Sequence, residues 1–304
     1  MTHQTESTAI TTKDTISSPP TGFQVILREF KKDKLAMFSL ILLGLIIVGI
    51  YVASFFIDQE ELMRISIRGK YAEPGEQGFI LGADHGGRSI LGQLIIGARN
   101  SITIAIIITI ITGVAGVVIG LVTGYFGGLI DNIFMRIIDF FLTLPTTMII
   151  IVFVTIIPKY TVTTFILIMS LFLWIGTARL IRSKSLSESR RDYVSASKTM
   201  GTRNSTIIFK EIMPNISSLI IVELTLNFAG NVGIETGLSF LGFGLPPSTP
   251  SLGTLVSYAA NPEVLSTKLW VWLPAALLIL VLMLGINYVG QALRRSADAR
   301  QRLG

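Results

Sequence analysis

The sequence predicts an all-α integral membrane protein with six transmembrane helices and both termini in the cytoplasm. Half of the 304 residues are apolar and 14% are charged, whereas soluble proteins average about 25% charged residues. Six apolar runs have about the 20 residues needed to cross a bilayer core about 30 Å thick. Lys and Arg residues fall mostly on one side of these runs, which predicts their orientation. A water-soluble globule is therefore excluded.

The first run, Leu35–Ile57, follows a predicted cytoplasmic tail of residues 1–34 that is partly disordered because it begins with a Ser- and Thr-rich stretch. No small-x-small cleavage site lies beside the run, so we interpret it as a retained anchor and not as a signal peptide. An external loop is predicted over residues 58–101. Residues 102–291 form a predicted core with a cytoplasmic loop at 182–215, and residues 292–304 form a cytoplasmic tail. The five core runs are Ile102–Tyr125, Arg136–Ile157, Thr164–Ile181, Ile216–Leu241 and Leu269–Val289.

The distribution of cationic residues sets the predicted orientation. Of the 25 Lys and Arg residues, 18 lie on the side that holds both termini and the loop at 182–215. Cationic loops resist translocation across the membrane, so this side is predicted to be cytoplasmic. The net charge of +6 is explained by this asymmetry, and no nucleic-acid partner is expected.

The residue inventory contains no predicted catalytic or metal site. The chain has no Cys and only two His, which excludes disulfides, thiol catalysis and a Cys- or His-rich metal site. Its one Gly-Lys pair, Gly69-Lys70, is followed by Tyr71 and lacks the preceding glycine of a phosphate-binding loop. We therefore expect no enzyme activity and no nucleotide site in this chain.

Glycines recur along the second apolar run at spacings of three and four residues, which places them on one helical face. Such a strip allows another helix to approach closely, and packing of this kind is favoured within membranes. A packing seam is the preferred interpretation and a pore lining is the alternative. The glycines are Gly113, Gly116, Gly120, Gly124 and Gly127.

The fifth run is unusually polar for a membrane span. It contains Glu223 and Glu235, with Asn227 and Asn231 between them, although an ionisable group at the centre of a span costs about 2.5–3.5 kcal/mol even on the gentler scales. The run is therefore predicted to face protein or water and not lipid. Substrate contact and pairing with another helix or subunit both remain open.

The cytoplasmic loop is predicted to contain two short helices. Tyr193, Ala196, Ser197 and Met200 share one face at i, i+3, i+4 and i+7, which suits docking against a partner. Gly201 is predicted to end this helix. A second apolar surface contains Ile208 and stops at Pro214. A helix resting on lipid headgroups is the alternative.

The same loop resembles the cytoplasmic EAA loop of ABC-importer permeases. It reads YVSASKTMG over residues 193–201 and IIFKEIMPN over residues 207–215. Ser195 and Ser197 stand where that family usually has Glu and a second Ala. Two further stretches are similar to dipeptide and oligopeptide permeases, namely LGADHGGRSIL over residues 81–91 and ETGLSFLGFG over residues 235–244. The resemblance is nearest to the C-type permease subunit of the peptide/nickel importer family.

This resemblance implies a type I ABC-importer permease of the prokaryotic plasma membrane that carries di- or oligopeptides. The implied partners are a homologous permease, two ATP-binding-cassette ATPase subunits and an extracytoplasmic peptide-binding protein. ATP and Mg would be bound by the ATPases, and no cofactor by this chain. The implied pathway lies between the two permeases, with Asn227, Asn231 and Glu235 as candidate lining residues. The implied ATPase-coupling residues are Tyr193, Ala196, Ser197, Met200, Gly201, Ile208 and Pro214.

A proton- or ion-coupled secondary transporter or channel subunit is the alternative function. That class would require coupling-ion or filter groups, and commonly an inverted repeat. The sequence contains no convincing internal duplication, so we favour the permease.

Overall fold

The computed structural model describes residues 28–66, 69–157, 160–246 and 248–303, with side chains described as far as Ala297. Most of the predicted N-terminal tail lies outside these ranges. Within them the chain is almost entirely helical. Helical turns of three or four residues lie at Gln59–Leu62, Glu76–Gly78, Asn204–Thr206, Met213–Asn215 and Tyr258–Ala260, and Ile207–Ile212 forms a π-helix. The longer α-helices are α1 (Lys34–Ser54), α2 (Ile90–Phe126), α3 (Gly128–Leu142), α4 (Thr146–Ile156), α5 (Val162–Glu188), α6 (Asp192–Thr199), α7 (Ser217–Phe240), α8 (Leu252–Ser257), α9 (Pro262–Thr267) and α10 (Leu269–Leu303).

Five helices, α1, α2, α5, α7 and α10, are each long and apolar enough to cross a membrane. The third predicted span, Arg136–Ile157, is not one straight helix. It falls within α3 and α4, which are bent by 81° at their junction. The bend lies at Pro145, which has no N–H for a helical hydrogen bond and disfavours helical geometry in the preceding residue. Six spans result only if this bent pair counts as one.

The second helix is longer than its apolar run predicts. α2 has 37 residues, or about 55 Å at 1.5 Å per residue, which exceeds the thickness of a bilayer core. It begins after Ser89, whose Oγ accepts a hydrogen bond from the Gly92 N–H at 3.3 Å. Residues 90–101 of the predicted external loop are therefore helical, because an apolar run does not record helical turns outside the membrane.

Three of the five glycines in the α2 strip form the predicted packing seam, and they pack against α5. A Cβ atom at Gly116 would lie 2.7 Å from Thr177 Cβ, and one at Gly124 would lie 2.6 Å from the Arg182 carbonyl oxygen. A Cβ atom at Gly120 would lie equally close to α5, 2.7 Å from the Ala178 carbonyl oxygen. Gly113 instead faces Leu224 of α7, while Gly127 ends α2 with a φ of +61° and open space around it. The interface between α2 and α5 is the most extensive of those between the described helices.

The remaining long helices assemble around this pair. α7 packs against α2 and α10, while α1 packs on α10 and α2. The Tyr51 hydroxyl of α1 lies 2.7 Å from Thr103 Oγ1 of α2. Large apolar side chains cover the outside of the assembly, for example Leu45 and Val114. Such a surface suits lipid and would be unfavourable in water.

Polar contacts join distant parts of the chain near both ends of α2. At the end where α2 stops, Tyr125 donates to Asn204 Oδ1 at 2.7 Å. At the end where it starts, Asn100 Nδ2 donates to the Pro250 carbonyl oxygen at 2.9 Å. An Arg182–Asp131 ion pair joins α5 to the first turn of α3. Arg295 near the end of α10 pairs with Asp33, which caps the start of α1, at 2.8 Å.

Candidate coupling loop and transmembrane polar positions

The candidate docking helix α6 is a short helix with a defined end. Its C-terminus is closed by two hydrogen bonds, from Gly201 N to the Lys198 carbonyl at 3.0 Å and from Thr202 N to the Ser197 carbonyl at 3.1 Å. Gly201 has a φ of +77°, a left-handed conformation in which other residues are strained. This pattern is the Schellman motif, so Gly201 ends the helix as predicted.

The inner side of α6 is held by the segment that follows it. Ser197 Oγ lies 2.9 Å and 2.8 Å from the two carboxylate oxygens of Glu211. Val194 is fully buried beside it. The π-helix places Ile208 in the same buried cluster, together with residues of α2. Ser197 and Ile208 therefore face inward, away from the surface on which they were expected.

The outer side of α6 is open. Ala196 is exposed, and Met200 is 77% exposed although its side chain is apolar. Phe209 of the π-helix is 39% exposed, and Pro214 also lies on the surface. We call Ala196, Met200 and Phe209 the outer apolar surface of the loop.

Tyr193 lies between these two sides. Its hydroxyl donates to Glu188 Oε2 of α5 at 3.2 Å. Burial, together with the nearby negative charge of Glu188, raises the pKa of the Tyr193 hydroxyl above its ordinary value. The residue thus fastens α6 to the end of α5.

Two contacts that the sequence analysis missed attach the loop to α2. The Lys198 ammonium lies 4.5 Å from the centre of the Tyr125 ring, within the range of a cation–π interaction. The same tyrosine donates to Asn204, as described above. The sequence offers no local signal for these partners, because Tyr125 and Asn204 are 79 residues apart.

The three candidate pathway residues of α7 have partners inside the chain. Asn231 Nδ2 donates to Thr109 Oγ1 of α2 at 2.9 Å. Asn227 Nδ2 donates to Thr177 Oγ1 of α5, also at 2.9 Å. Asn231 is buried, whereas Asn227 is partly exposed. These two amides therefore join α7 to the pair formed by α2 and α5.

Glu235 is completely buried among hydroxyl groups. Its Oε2 accepts from Ser101 Oγ at 2.9 Å and its Oε1 accepts from Ser239 Oγ at 2.8 Å. Ser101 Oγ in turn accepts from the Leu252 N–H at 3.1 Å. Glu235 consequently connects α7, α2 and the start of α8.

A second buried carboxylate organises the loop before α2. Asp84 is fully buried and accepts from the Arg88 guanidinium at 2.8 Å and from Gln93 Nε2 at 3.0 Å. Arg88 also donates to the Tyr258 hydroxyl at 3.1 Å. Burial, reinforced by the negative charge of Asp84, raises the pKa of Tyr258 to about 12.

No group of three or more His, Asp or Glu side chains within the described residues is arranged to hold a metal ion. The polar networks above are made of single carboxylates with hydroxyl, amide or guanidinium partners.

Comparison with known families identifies the protein class. Residues 116–302 match the family described as the binding-protein-dependent transport system inner membrane component. Residues 21–68 match the N-terminal transmembrane domain of oligopeptide transport permease C. The chain belongs to the binding-protein-dependent transport permeases. It is thus a multi-helix component of a bacterial membrane, and the resemblance inferred from its motifs is confirmed.

Individual permeases of this family align with nearly the whole chain. The oligopeptide transport system permease protein OppC of Lactococcus lactis is 53% identical over 276 residues, covering 91% of this chain and 94% of the relative. The dipeptide transport system permease protein DppC of Haemophilus influenzae is 31% identical over 289 residues, covering 93% and 96%. OppC of Bacillus subtilis is 33% identical, covering 90% and 88%.

Proposed function

We propose that this permease forms the membrane pathway of an ABC importer for di- and oligopeptides together with a second, homologous permease. The names of its relatives support a peptide substrate. In this proposal the chain itself is not an enzyme and holds no cofactor. ATP and Mg are bound and used by two ATPase subunits, and an extracytoplasmic binding protein delivers the peptide.

The observation that carries the proposal is the outer apolar surface of the loop. Met200 is exposed in a short helix whose other side is fixed to Glu211, Glu188 and α2. A group of exposed apolar side chains on a rigid support is typical of a protein interaction site. We assign this surface, with Tyr193 and Gly201, to contact with an ATPase subunit. Ser197 and Ile208 would act indirectly, by supporting the helix, and Pro214 would end the segment.

We further propose six membrane spans with both termini in the cytoplasm, counting α3 and α4 as one. The Asp33–Arg295 ion pair supports this topology, because it joins the start of α1 to the end of α10. An odd number of spans would place these ends on opposite sides. The excess of cationic residues near both ends favours the cytoplasmic side.

The loop between α1 and α2 and the segment around α8 would then lie outside the membrane, where the binding protein docks. The contact of Arg88 with Tyr258, and that of Asn100 in the first turns of α2 with Pro250, support one continuous outer surface. Asn227, Asn231 and Glu235 remain candidate pathway residues. Their hydrogen bonds within the chain favour a supporting role for Asn231 and Glu235 in particular.

Reconstitution tests this function directly. The chain would be purified with its genomic neighbours, inserted in proteoliposomes with ATP inside, and supplied with binding protein and a radiolabelled tripeptide outside. We expect uptake that requires ATP and is abolished by Met200→Asp, with Asp192→Asn as a surface control on the same helix. Uptake driven by a proton gradient without any ATPase would contradict the proposal and favour a secondary transporter.

A further inference from the structure

A cavity of about 250 Å³ lies between α5, α7 and α10, near the ends of these helices that carry the coupling loop and the C-terminus. Its charged lining consists of Glu223 from α7, Lys184 from α5 and Arg294 from α10. Leu219, Val222 and Leu226 supply much of the apolar wall. The cavity is thus a mostly apolar recess with one carboxylate and two cations, which is the composition of a small-ligand site.

Within the described residues, the three charges of this cavity have few partners outside it. Glu223 Oε1 accepts a hydrogen bond from Asn227 Nδ2 at 3.3 Å. Among the described side chains, which end at Ala297, neither Lys184 nor Arg294 has an ion-pair partner within 4.0 Å. Ionisable groups are costly in membrane spans and usually mark a substrate route when they are retained.

The face of α7 that carries Glu223 also carries two exposed glycines. Gly230 and Gly237 follow Glu223 at intervals of seven residues, which is about two helical turns and therefore the same face. Both are exposed, and a Cβ atom at either would meet nothing within 4 Å. A strip of accessible backbone therefore runs along the span from the cavity toward the opposite side of the membrane.

This face is poorly suited to lipid. α7 is the least apolar of the five long helices, and most of its apolar window is not buried within the chain. Exposed glycine backbone and a carboxylate within a membrane span are expected to face water or protein. The position favours a polar solute over a lipid acyl chain as the occupant of the cavity.

We propose that the cavity binds a zwitterionic short peptide, with Glu223 taking the α-ammonium and Lys184 and Arg294 taking the carboxylate. The inference rests on the proposed function, because it requires peptides to pass this chain. The paired charges match a free peptide, which carries one group of each sign. The cavity is below the roughly 300–1,000 Å³ of ordinary small-ligand pockets, so it suits a dipeptide or the end of a longer peptide.

The test compares blocked peptides in the reconstituted importer with one binding protein throughout. Uptake of a free tripeptide is measured against its N-acetylated and its C-amidated forms. Because the binding protein is unchanged, a change in these ratios between variants arises from the permease. Loss of one charge-assisted hydrogen bond is expected to change a ratio by about tenfold.

We expect Glu223→Gln to remove the discrimination against the N-acetylated peptide while leaving the C-amide ratio unchanged. Lys184→Gln and Arg294→Gln should remove the discrimination against the C-amidated peptide and leave the ratio for the N-acetylated peptide unchanged. Asp139→Asn, which neutralises an exposed carboxylate of α3, should change neither ratio. Ratios that stay at their wild-type values in all three cavity variants, with uptake intact, would overturn the inference and leave the proposed function standing.

A second measurement addresses phospholipid as the occupant. Native mass spectrometry of the purified assembly would compare retained lipid between wild type and Lys184→Gln. Lipid that is retained by wild type, lost from the variant and not displaced by millimolar tripeptide would overturn the peptide site. Complete absence of ATP-driven uptake in the wild-type assembly would instead reject the proposed function itself.

Discussion

Ser197 and Glu211 form a partly buried contact on the inner side of the candidate docking helix. One hydroxyl faces both oxygens of the carboxylate, at 2.9 and 2.8 Å. The two residues lie on successive parts of the same loop, so α6 and the π-helix are fixed to one another. A force applied to Met200 would therefore move both parts together.

The Ser197–Glu211 contact predicts an effect of removing its hydroxyl. Ser197→Ala leaves the carboxylate without that donor, and a hydrogen bond to a charged group contributes about 1.5–3 kcal/mol. We expect more ATP hydrolysed per peptide imported, because α6 is less firmly held. Ser195→Ala is the matched control, since Ser195 is exposed on the same helix. Equal coupling ratios in the two variants would contradict this role.

The end of α6 predicts a strong dependence on residue 201. Gly201→Val places a β-branched side chain at a φ of +77°, and left-handed geometry costs an ordinary residue about 1–2 kcal/mol or more. Peptide uptake should fall while membrane insertion is normal. Gly201→Asn should retain more uptake, because Asn tolerates this conformation better. Normal uptake by the valine variant would exclude the need for this helix end.

The seam between α2 and α5 predicts that side-chain volume at residue 120 is not tolerated. A Cβ atom there would lie 2.7 Å from the Ala178 carbonyl oxygen. We expect Gly120→Leu to lower thermal stability in detergent, since overpacking costs about 1–3 kcal/mol. Gly176→Ala is the control, because residue 176 of α5 has open space around it. An unchanged melting temperature of Gly120→Leu would contradict tight packing of α5 against this glycine.

The raised pKa of Tyr258 predicts a loss of stability at alkaline pH. The folded protein favours the neutral hydroxyl, whose pKa is raised from an ordinary value near 10 to about 12 by burial and by Asp84. This contribution is complete below about pH 10 and is lost as the pH rises from about 10 to 12. Thermal unfolding between pH 9 and 11.5 should show a steeper decline for wild type than for Tyr258→Phe. Parallel declines would contradict the assignment.

The sequence predicts local features of this protein well and long-range ones poorly. The apolar runs, the Gly201 helix end and the glycine seam follow from spacing alone, because each depends on neighbours within a few turns. Arg136 and Asp139 are three residues apart in α3, a spacing that favours an ion pair within one helix. The ion pair that joins α3 to α5 is instead Asp131–Arg182, between residues 51 positions apart. No local pattern specifies such a partner.

The sequence also does not predict which face of α7 packs against the other helices. Its polar residues indicate that the span avoids lipid, but they do not reveal which face meets α2. The structure turns Asn231 and Glu235 inward and leaves Gly230 and Gly237 exposed. Sequence spacing groups residues by face, whereas tertiary packing decides which face is covered.

The length of α2 gives the molecule a mechanical continuity between two distant surfaces. A single unbroken helix reaches from Ser101, beside the start of α8, to Tyr125, beside the loop that contains α6. α5 packs directly against α2 at the glycines, where α2 has no side chain to separate the two helices. A displacement of one end of α2 would therefore tilt the whole helix and move its other end, because no flexible segment lies between them.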